Sequence, residues 1–591
     1  MVTSNKNSVI KAVSRVRLFY GVLLAVIGIF GLRLFYVQII HYNYYKTAAL
    51  SDQLKQYEIP ATRGIIEAQD AGSVLPIVLN QQLYTLYADP TYIKHADQVA
   101  AKIVPIIGGQ ASDYSKLMQT KNTRYAVLAK KLTAAQQAKI VALDFPGLGT
   151  VAVDYRTYPQ GSLASQTLGF VNNDGQGEYG IEQALNKQLT GTSGQLRAIT
   201  DVNGVPLAAS KNNTKVPPKN GENVVLSIDL AMQTQMETIL QQEYQKTKSQ
   251  GLSAVIMDPN TGQIKAMANY PTYDPSNYQA VSDPLVYQNA VVTNAIEPGS
   301  TMKILTTAAA LNQGVIQPDT TFYDPAHWVV DGFNITDIEE DGGPGTQSIG
   351  SVLNLSLNTG ATWMLMQMGG GQINSKGRDA WYDYMTNHFR LGKPTGVEQG
   401  YEADVAVPTP QDNGAGIDLT YANTSFGQGV QITAMQMAAA DSSVVNGGTY
   451  YQPTLIYQTV DANGKTTTAQ PKVLQKNVVS PKVSQEMLPL MEYVVQQHLA
   501  SGFTYMNFSP NYIVGGKTGT AQLAQPTGGY YADKYNGTYV GFVGGDKPQY
   551  VIVVYNMQPG VAGYAGANGG QPVFADLAHM LINGSYVSPK H

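Results

Sequence analysis

The chain has 591 residues, 43% of them hydrophobic and 14% charged, with 38 Lys plus Arg against 42 Asp plus Glu, a balance that excludes a highly charged disordered polymer. At roughly 100 to 200 residues per domain the length predicts about two to four domains, and a net charge of -4 supplies no basic field for nucleic acid. With no cysteine there are no disulfides, thiolate metal sites, iron–sulfur clusters or cysteine nucleophile.

Residues 18–40 are apolar apart from Arg33 and Gln38; at about 1.5 Å per residue a helix there is roughly 35 Å long, enough to cross a bilayer. Lys6, Lys11, Arg15 and Arg17 precede it without an acidic residue, so residues 1–17 are expected in the cytoplasm and the remainder outside the membrane. A cleaved signal peptide is the competing reading, because residues 18–32 have the length of its apolar segment. Arg33, Leu34, Phe35 and Tyr36 then offer no small-residue cleavage site, which favours an uncleaved anchor. Arg33 can snorkel outward, and Tyr36, Tyr42, Tyr44 and Tyr45 can form an interfacial belt.

Residues 41–220 predict an α+β module, with strands at 83–87 and 150–153 and a helix at 133–143 that Thr133 caps. Val216-Pro217-Pro218-Lys219-Asn220-Gly221 predicts a linker, and a second domain is expected over 221–591. Within it the pattern predicts a strand at 223–228, a helix at 230–248 and strands at 253–257 and 264–268 around a Pro259–Gly262 turn. A helix at 301–311, strands at 539–543 and 550–555 joined by a Gly-Gly-Asp turn, and a helix at 573–582 follow. Strands at both ends with helices between them imply a sheet assembled from distant sequence, hence an α+β fold.

Three short motifs carry chemistry. Ser300 and Lys303, in Pro298-Gly299-Ser300-Thr301-Met302-Lys303, stand three apart at a helix start and share one face. A helix N-terminus favours a developing alkoxide or oxyanion, and a lysine serves as base when burial beside another cation keeps it neutral. The alternative is that Ser300 is an N-cap and Lys303 a solvated helix residue. Ser8 and Lys11 repeat the spacing on the expected cytoplasmic side. Ser356 and Asn358 put a hydroxyl and an amide two apart, able to face a cleft from a bent loop; the alternative is a simple cap. In Gly515-Gly516-Lys517-Thr518-Gly519-Thr520, Thr518 and Thr520 flank a glycine that lets a substrate backbone approach an edge strand, and Lys517 supplies a cation for a carboxylate. The alternative is an ordinary strand starting after a Gly-Gly turn.

The order Ser-x-x-Lys, Ser-x-Asn, Lys-Thr-Gly resembles the active site of penicillin-binding proteins and serine β-lactamases. Further local matches are similar to class B penicillin-binding proteins: Arg63-Gly64-Ile65-Ile66, Arg156-x-Tyr158-Pro159, Gly180-Ile181-Glu182, residues 254–262, Pro271 to Pro275 and Phe426-Gly427-Gln428-Gly429. The resemblance implies a pedestal (dimerisation-type) domain over 41–220 and a transpeptidase domain with an antiparallel sheet flanked by helices. It implies a membrane-anchored peptidoglycan D,D-transpeptidase acting in division or in elongation and cell shape, without cofactor or metal. Its substrate would be the D-Ala-D-Ala end of a stem peptide, and β-lactams its covalent inhibitors. A multi-span glycan polymerase would be its partner.

In that scheme Ser300 is the nucleophile, Lys303 the base, Ser356 a proton relay, and Asn358 a positioning group. Lys517, Thr518 and Thr520 hold the carboxylate, Gly519 completes the substrate-binding set by letting the substrate backbone approach the strand, and the backbone N–H groups of Ser300 and Thr520 form the oxyanion hole. A D,D-carboxypeptidase and a silent wall scaffold or β-lactam sensor are the alternatives. The chain departs from the family where Glu67-Ala68-Gln69-Asp70-Ala71-Gly72 replaces the usual Asp-Arg-Asn-Gly, a change that bears on pedestal contacts. No H-E-x-x-H, Gly-x-Ser-x-Gly or Walker A pattern occurs, His498 and His579 read as structural, and Asp337, Glu339, Glu340 and Asp341 as a solvated loop.

Overall fold

A computed structural model of the chain describes residues 6–46, 54–199, 214–338, 343–411, 416–525 and 529–591. The chain falls into two units, residues 1–61 with 191–220 and residues 62–190 with 221–591.

In the first unit an α-helix, Lys6–Phe35, continues as a π-helical turn, Tyr36–Ile40. Within Val16–Ile40 an 18-residue stretch has a mean hydropathy of 2.2, and none of that stretch is buried. Leu18, Phe19, Leu24, Phe30 and Leu32 are all exposed, and a helix apolar on every side suits lipid rather than one face of a soluble core. Residues 1–5 of the expected tail lie outside the described residues. The same unit holds an antiparallel sheet of Leu54–Ile59, Gly194–Ile199 and Thr214–Val216.

In the second unit the long strand Ser73–Ala88 pairs with Ile66–Asp70, Ala126–Leu132 and Leu148–Thr157. Thr133 caps Ala134–Val141 through the reciprocal Thr133–Gln136 bonds of a capping box, as its spacing predicts. Asn223–Asp229 pairs in parallel with Ile66–Asp70, so the stretch before residue 190 and the first strand after the Pro217-Pro218 segment share one sheet. Three of the local motifs meet at one carboxylate there. Glu182, fully buried, accepts from Arg63 Nε at 2.8 Å and from Arg156 Nε at 2.6 Å, and neither guanidinium nor carboxylate tolerates loss of its partner at that depth.

The remainder is built on α1 (Leu230–Thr247), β1 (Gly251–Met257), β2 (Ile264–Tyr270), α2 (Met302–Asn312), α3 (Ile349–Asn354), α4 (Asn358–Met368), α5 (Ala434–Val445), α6 (Pro481–Ala500), β3 (Ile513–Ala524), β4 (Tyr530–Gly544), β5 (Pro548–Met557) and α7 (Gln571–Asn583). The antiparallel sheet runs β2-β1-β5-β4-β3, so strands from both ends of the domain pair as expected. Ile256, Ile552 and Val554 pack with Met236 of α1 and Phe574 and Leu577 of α7. The alternate residues Val255, Val551 and Val553 pack with Leu305 of α2 and Ala438 of α5. Both faces are covered, which is why β5 reads as an unbroken apolar run. β4 begins at Tyr530, well before the predicted 539, because its first half is polar and carries no alternation to read.

α5 is buried along its whole length yet contains Asp441, whose two oxygens have no hydrogen-bond partner among the described residues. Burial raises its pKa from 3.8 to about 7. Between those values the folded protein holds a proton that the unfolded chain has released, so this group's contribution is complete below about pH 4 and is lost as pH rises toward 7. Asp441→Asn should therefore raise stability at pH 8 by up to about 4 kcal/mol and change it little at pH 4. Melting curves of parent and variant that stay parallel from pH 4 to pH 8 would contradict this.

Candidate active site

Pro298 and Gly299 lead into a short 3₁₀ turn, Gly299–Thr301, from which α2 continues. Ser300 is half-buried at that turn and does not cap α2, whose N-cap is Thr301 without a side-chain bond. Lys303 is only 1% exposed. The N-cap and solvated-lysine readings of this pair both fail.

Lys303 Nζ lies 2.9 Å from Ser300 Oγ, 2.9 Å from Asn358 Oδ1, 2.5 Å from the Ser356 carbonyl and 3.3 Å from Ser356 Oγ. Ser356 occupies the expected bend between α3 and α4 and has a positive φ of 62°, a left-handed conformation uncommon outside glycine. Its carbonyl and hydroxyl both meet the lysine from that bend. Asn358 donates through Nδ2 to the Thr336 carbonyl at 3.0 Å, which fixes its oxygen toward Lys303.

Lys517 is 1% exposed on β3, and its Nζ donates to the carbonyl of Thr518 at 3.0 Å and to its hydroxyl at 3.2 Å. β3 is the outer strand of the sheet, and Gly515 and Gly516 lie within it rather than in a turn before it. A Cβ added to Gly519 would stand 2.5 Å from the Pro298 carbonyl and 2.3 Å from Thr538 Oγ1, so only glycine lets the edge strand close on the turn that bears Ser300. Thr518, Thr520 and Gln522 alternate with the more buried Lys517, Gly519 and Ala521, and share one face of the strand. Thr520 Oγ1 accepts from Gly566 N at 2.9 Å. Ser300, Lys303, Ser356 and Asn358 are thus in direct contact, and Lys517–Thr520 lies on the strand packed against the same turn.

Several supporting residues carry no role in the sequence reading. Gly427, with φ at 88°, accepts through its carbonyl from Gly299 N at 3.0 Å, and a Cβ on it would stand 1.9 Å from the Gly299 carbonyl. Glu297 accepts through Oε1 from Gly429 N at 2.9 Å and Tyr530 Oη at 3.0 Å; burial pushes its carboxyl above the ordinary range despite those bonds. Asp337 is not a solvated loop residue: it accepts from Thr359 N at 3.0 Å and from Thr359 Oγ1 at 2.5 Å, next to Asn358. Glu339, Glu340 and Asp341 lie outside the described residues. His498 is pushed down to about 4 by burial and then by the charge of Lys517, and its Nδ1 meets Gln571 Nε2 at 3.0 Å. His579 Nε2 meets the Tyr505 carbonyl at 2.9 Å, so both histidines have structural partners.

The family model for the penicillin binding protein transpeptidase domain matches residues 252–579, and that for the penicillin-binding protein dimerisation domain matches residues 58–226. The chain is 31% identical over 548 residues to Stage V sporulation protein D of Bacillus subtilis, covering 91% of this chain and 81% of that protein. It is 25% identical over 544 residues to peptidoglycan D,D-transpeptidase FtsI of Escherichia coli, covering 91% and 86%. Penicillin binding protein 3 of Mycobacterium tuberculosis, solved in complex with aztreonam, superposes with a TM-score of 0.67 at 25% identity, covering 90% of this chain and 98% of that one.

Proposed function

The chain belongs to the penicillin-binding protein transpeptidase family, and from that membership we propose that it is a membrane-anchored peptidoglycan D,D-transpeptidase in which Ser300 is the nucleophile. The observation that carries the assignment is the contact of a buried lysine amine with Ser300 Oγ, Ser356 and Asn358 Oδ1. A neutral amine has two N–H groups and one lone pair. The Ser356 carbonyl and Asn358 Oδ1 are acceptors only and take the two N–H groups, which leaves the lone pair for the Ser300 hydroxyl. Once protonated, the amine donates to all three oxygens, so both ends of the proton transfer are satisfied in one geometry.

Ser300 Oγ attacks the carbonyl of the penultimate D-Ala while Lys303 takes its proton. The tetrahedral oxyanion is held by the backbone N–H groups of Ser300 and Thr520, each such donor typically worth about 10²- to 10³-fold in rate. The C–N bond to the last D-Ala breaks, its nitrogen gaining the proton by way of Ser356. The acyl ester on Ser300 then passes to an amine of a second stem, whose surplus proton returns through the same groups. Lys517, Thr518 and Thr520 bind the terminal carboxylate. β-Lactams acylate Ser300 in place of the stem.

The division into a tail over 1–17, an anchor over 18–40, a pedestal over 41–220 and a transpeptidase domain over 221–591 is supported by the two matched segments and the apolar helix. The basic residues Lys6, Lys11, Arg15 and Arg17 support a cytoplasmic N-terminus with the catalytic domain outside. The partner that fits a wall cross-linker of this build is a multi-span glycan polymerase.

Purified full-length protein in detergent, given a D-Ala-D-Ala stem peptide and an acceptor amine, should release D-Ala and form the cross-linked dimer. Hydrolysis alone would make it a carboxypeptidase. No product and no penicillin adduct would make it a scaffold.

A further inference from the structure

One hairpin grips the first two residues of α4. His327–Val330 pairs with Phe333–Thr336, and Val330 and Ile335 pack with Ala361 of α4 and with Ala422 and Phe426, which seats the hairpin against that helix. Its polar groups close on Asn358 and Thr359. The Thr336 carbonyl accepts from Asn358 Nδ2 at 3.0 Å, and Trp328 Nε1 donates to the Thr359 carbonyl at 3.0 Å. Asp337, directly after the second strand, accepts from Thr359 N at 3.0 Å and from Thr359 Oγ1 at 2.5 Å.

α4 has no cap of its own. Its N-cap is Leu357, which offers no side-chain hydrogen bond, so the first-turn N–H groups need a partner from elsewhere. Asp337 supplies one across 22 residues of chain, and its charge suits the positive end of the helix. Thr359 is fully buried, so loss of the carboxylate leaves a buried N–H and a buried hydroxyl unpaired. A second acid, Asp324, is 2% exposed; burial, and then the nearby charge of Asp337, push its carboxyl above the ordinary range despite a bond from Ala326 N at 2.9 Å.

What this clamp holds is a reacting geometry. Asn358 Oδ1 takes one N–H of Lys303 at 2.9 Å, and in the neutral amine that contact, with the Ser356 carbonyl, aims the lone pair at Ser300 Oγ. A shift of about 1 Å at the start of α4 turns the amine away, and misplacements of that size cost up to about 10²-fold in rate.

We propose that Asp337 is a positioning residue for acylation: by capping α4 through Thr359 it holds Asn358 where Oδ1 meets Lys303, and so keeps the lone pair of the amine on Ser300. This rests on the transpeptidase reading above.

The test follows acylation of the full-length protein across a range of penicillin concentrations, with the rate expressed per labelled site. Asp337→Ala is expected to lower the limiting rate constant about tenfold while the half-saturating concentration stays within about twofold, because Lys517, Thr518 and Thr520 are untouched. A merely structural defect would enlarge the unlabelled fraction without slowing the remainder. Asp337→Asn keeps an acceptor for Thr359 N and removes the charge facing Asp324, so it should recover most of the loss. Over Asn358→Ala the same Asp337→Ala change should alter the rate by less than about twofold, since its effect passes through Asn358. Should Asp337→Ala yield no folded protein, Thr359→Val takes its place: it removes only the hydroxyl arm of the clamp and should slow acylation severalfold, again only while Asn358 is present. A parental limiting rate in the variant used, no recovery in Asp337→Asn, or a slowing that persists undiminished over Asn358→Ala would overturn the positioning role and leave Ser300 as the nucleophile. Absence of any adduct on the parent would overturn the transpeptidase reading, and this role with it.

Discussion

Replacing Ser300 by alanine is expected to remove penicillin labelling and peptide turnover together, a loss on the order of 10⁶-fold for a nucleophile that acts with its base as a unit. The fold should survive, because Ser300 is half-buried and its hydroxyl serves Lys303, which keeps Ser356 and Asn358 as partners. A melting temperature within a degree or two of the parent, measured beside the labelling, separates loss of the nucleophile from loss of structure. Label taken up by Ser300→Ala at the parental rate would show that the attacking oxygen lies elsewhere.

Lys303→Met is the second large effect. Removing a general base typically costs about 10²- to 10⁴-fold, so acylation by penicillin should slow by that factor while still ending on Ser300. Unlike Ser300→Ala, this change also lowers stability, since the Ser356 carbonyl and Asn358 Oδ1 lose their shared donor, and a buried acceptor left unpaired costs about 1 to 3 kcal/mol. The two variants therefore differ in kind: one keeps the fold and loses the ester, the other forms the ester slowly on a weaker fold. Stopped-flow acylation rates within threefold of the parent would remove Lys303 from the proton transfer.

Much of this architecture was legible in the chain because it rests on local physics. Strands and helices of the catalytic domain follow from alternation and capping, whereas the three motifs are weak singly and are joined only by their resemblance, in that order, to the penicillin-binding protein active site. Ser300 and Lys303 share a face by helical spacing; Ser356 was expected on a bend, and Lys517 on an edge strand, where it lies.

What the chain concealed depends on contacts across long separations. Glu297 is an ordinary acid before a proline until Gly429 N and Tyr530 Oη close on it. Asp337 stands among acids of a solvated stretch in the sequence, yet holds the start of α4 through Thr359. The polar half of β4 carries no periodicity, and its pairing with β3 comes from an edge already in place. The lone acid Asp441 in α5 gives no signal either, since its burial is set by every element packed around that helix.

The most direct measurement is mass-spectrometric mapping of the adduct formed when the purified full-length protein is incubated with penicillin. A single stoichiometric adduct on the peptide containing Ser300 is the predicted result, and it requires the turn, the buried amine and the edge strand to act as one site. An adduct on any other residue, or none from folded protein, would contradict the account.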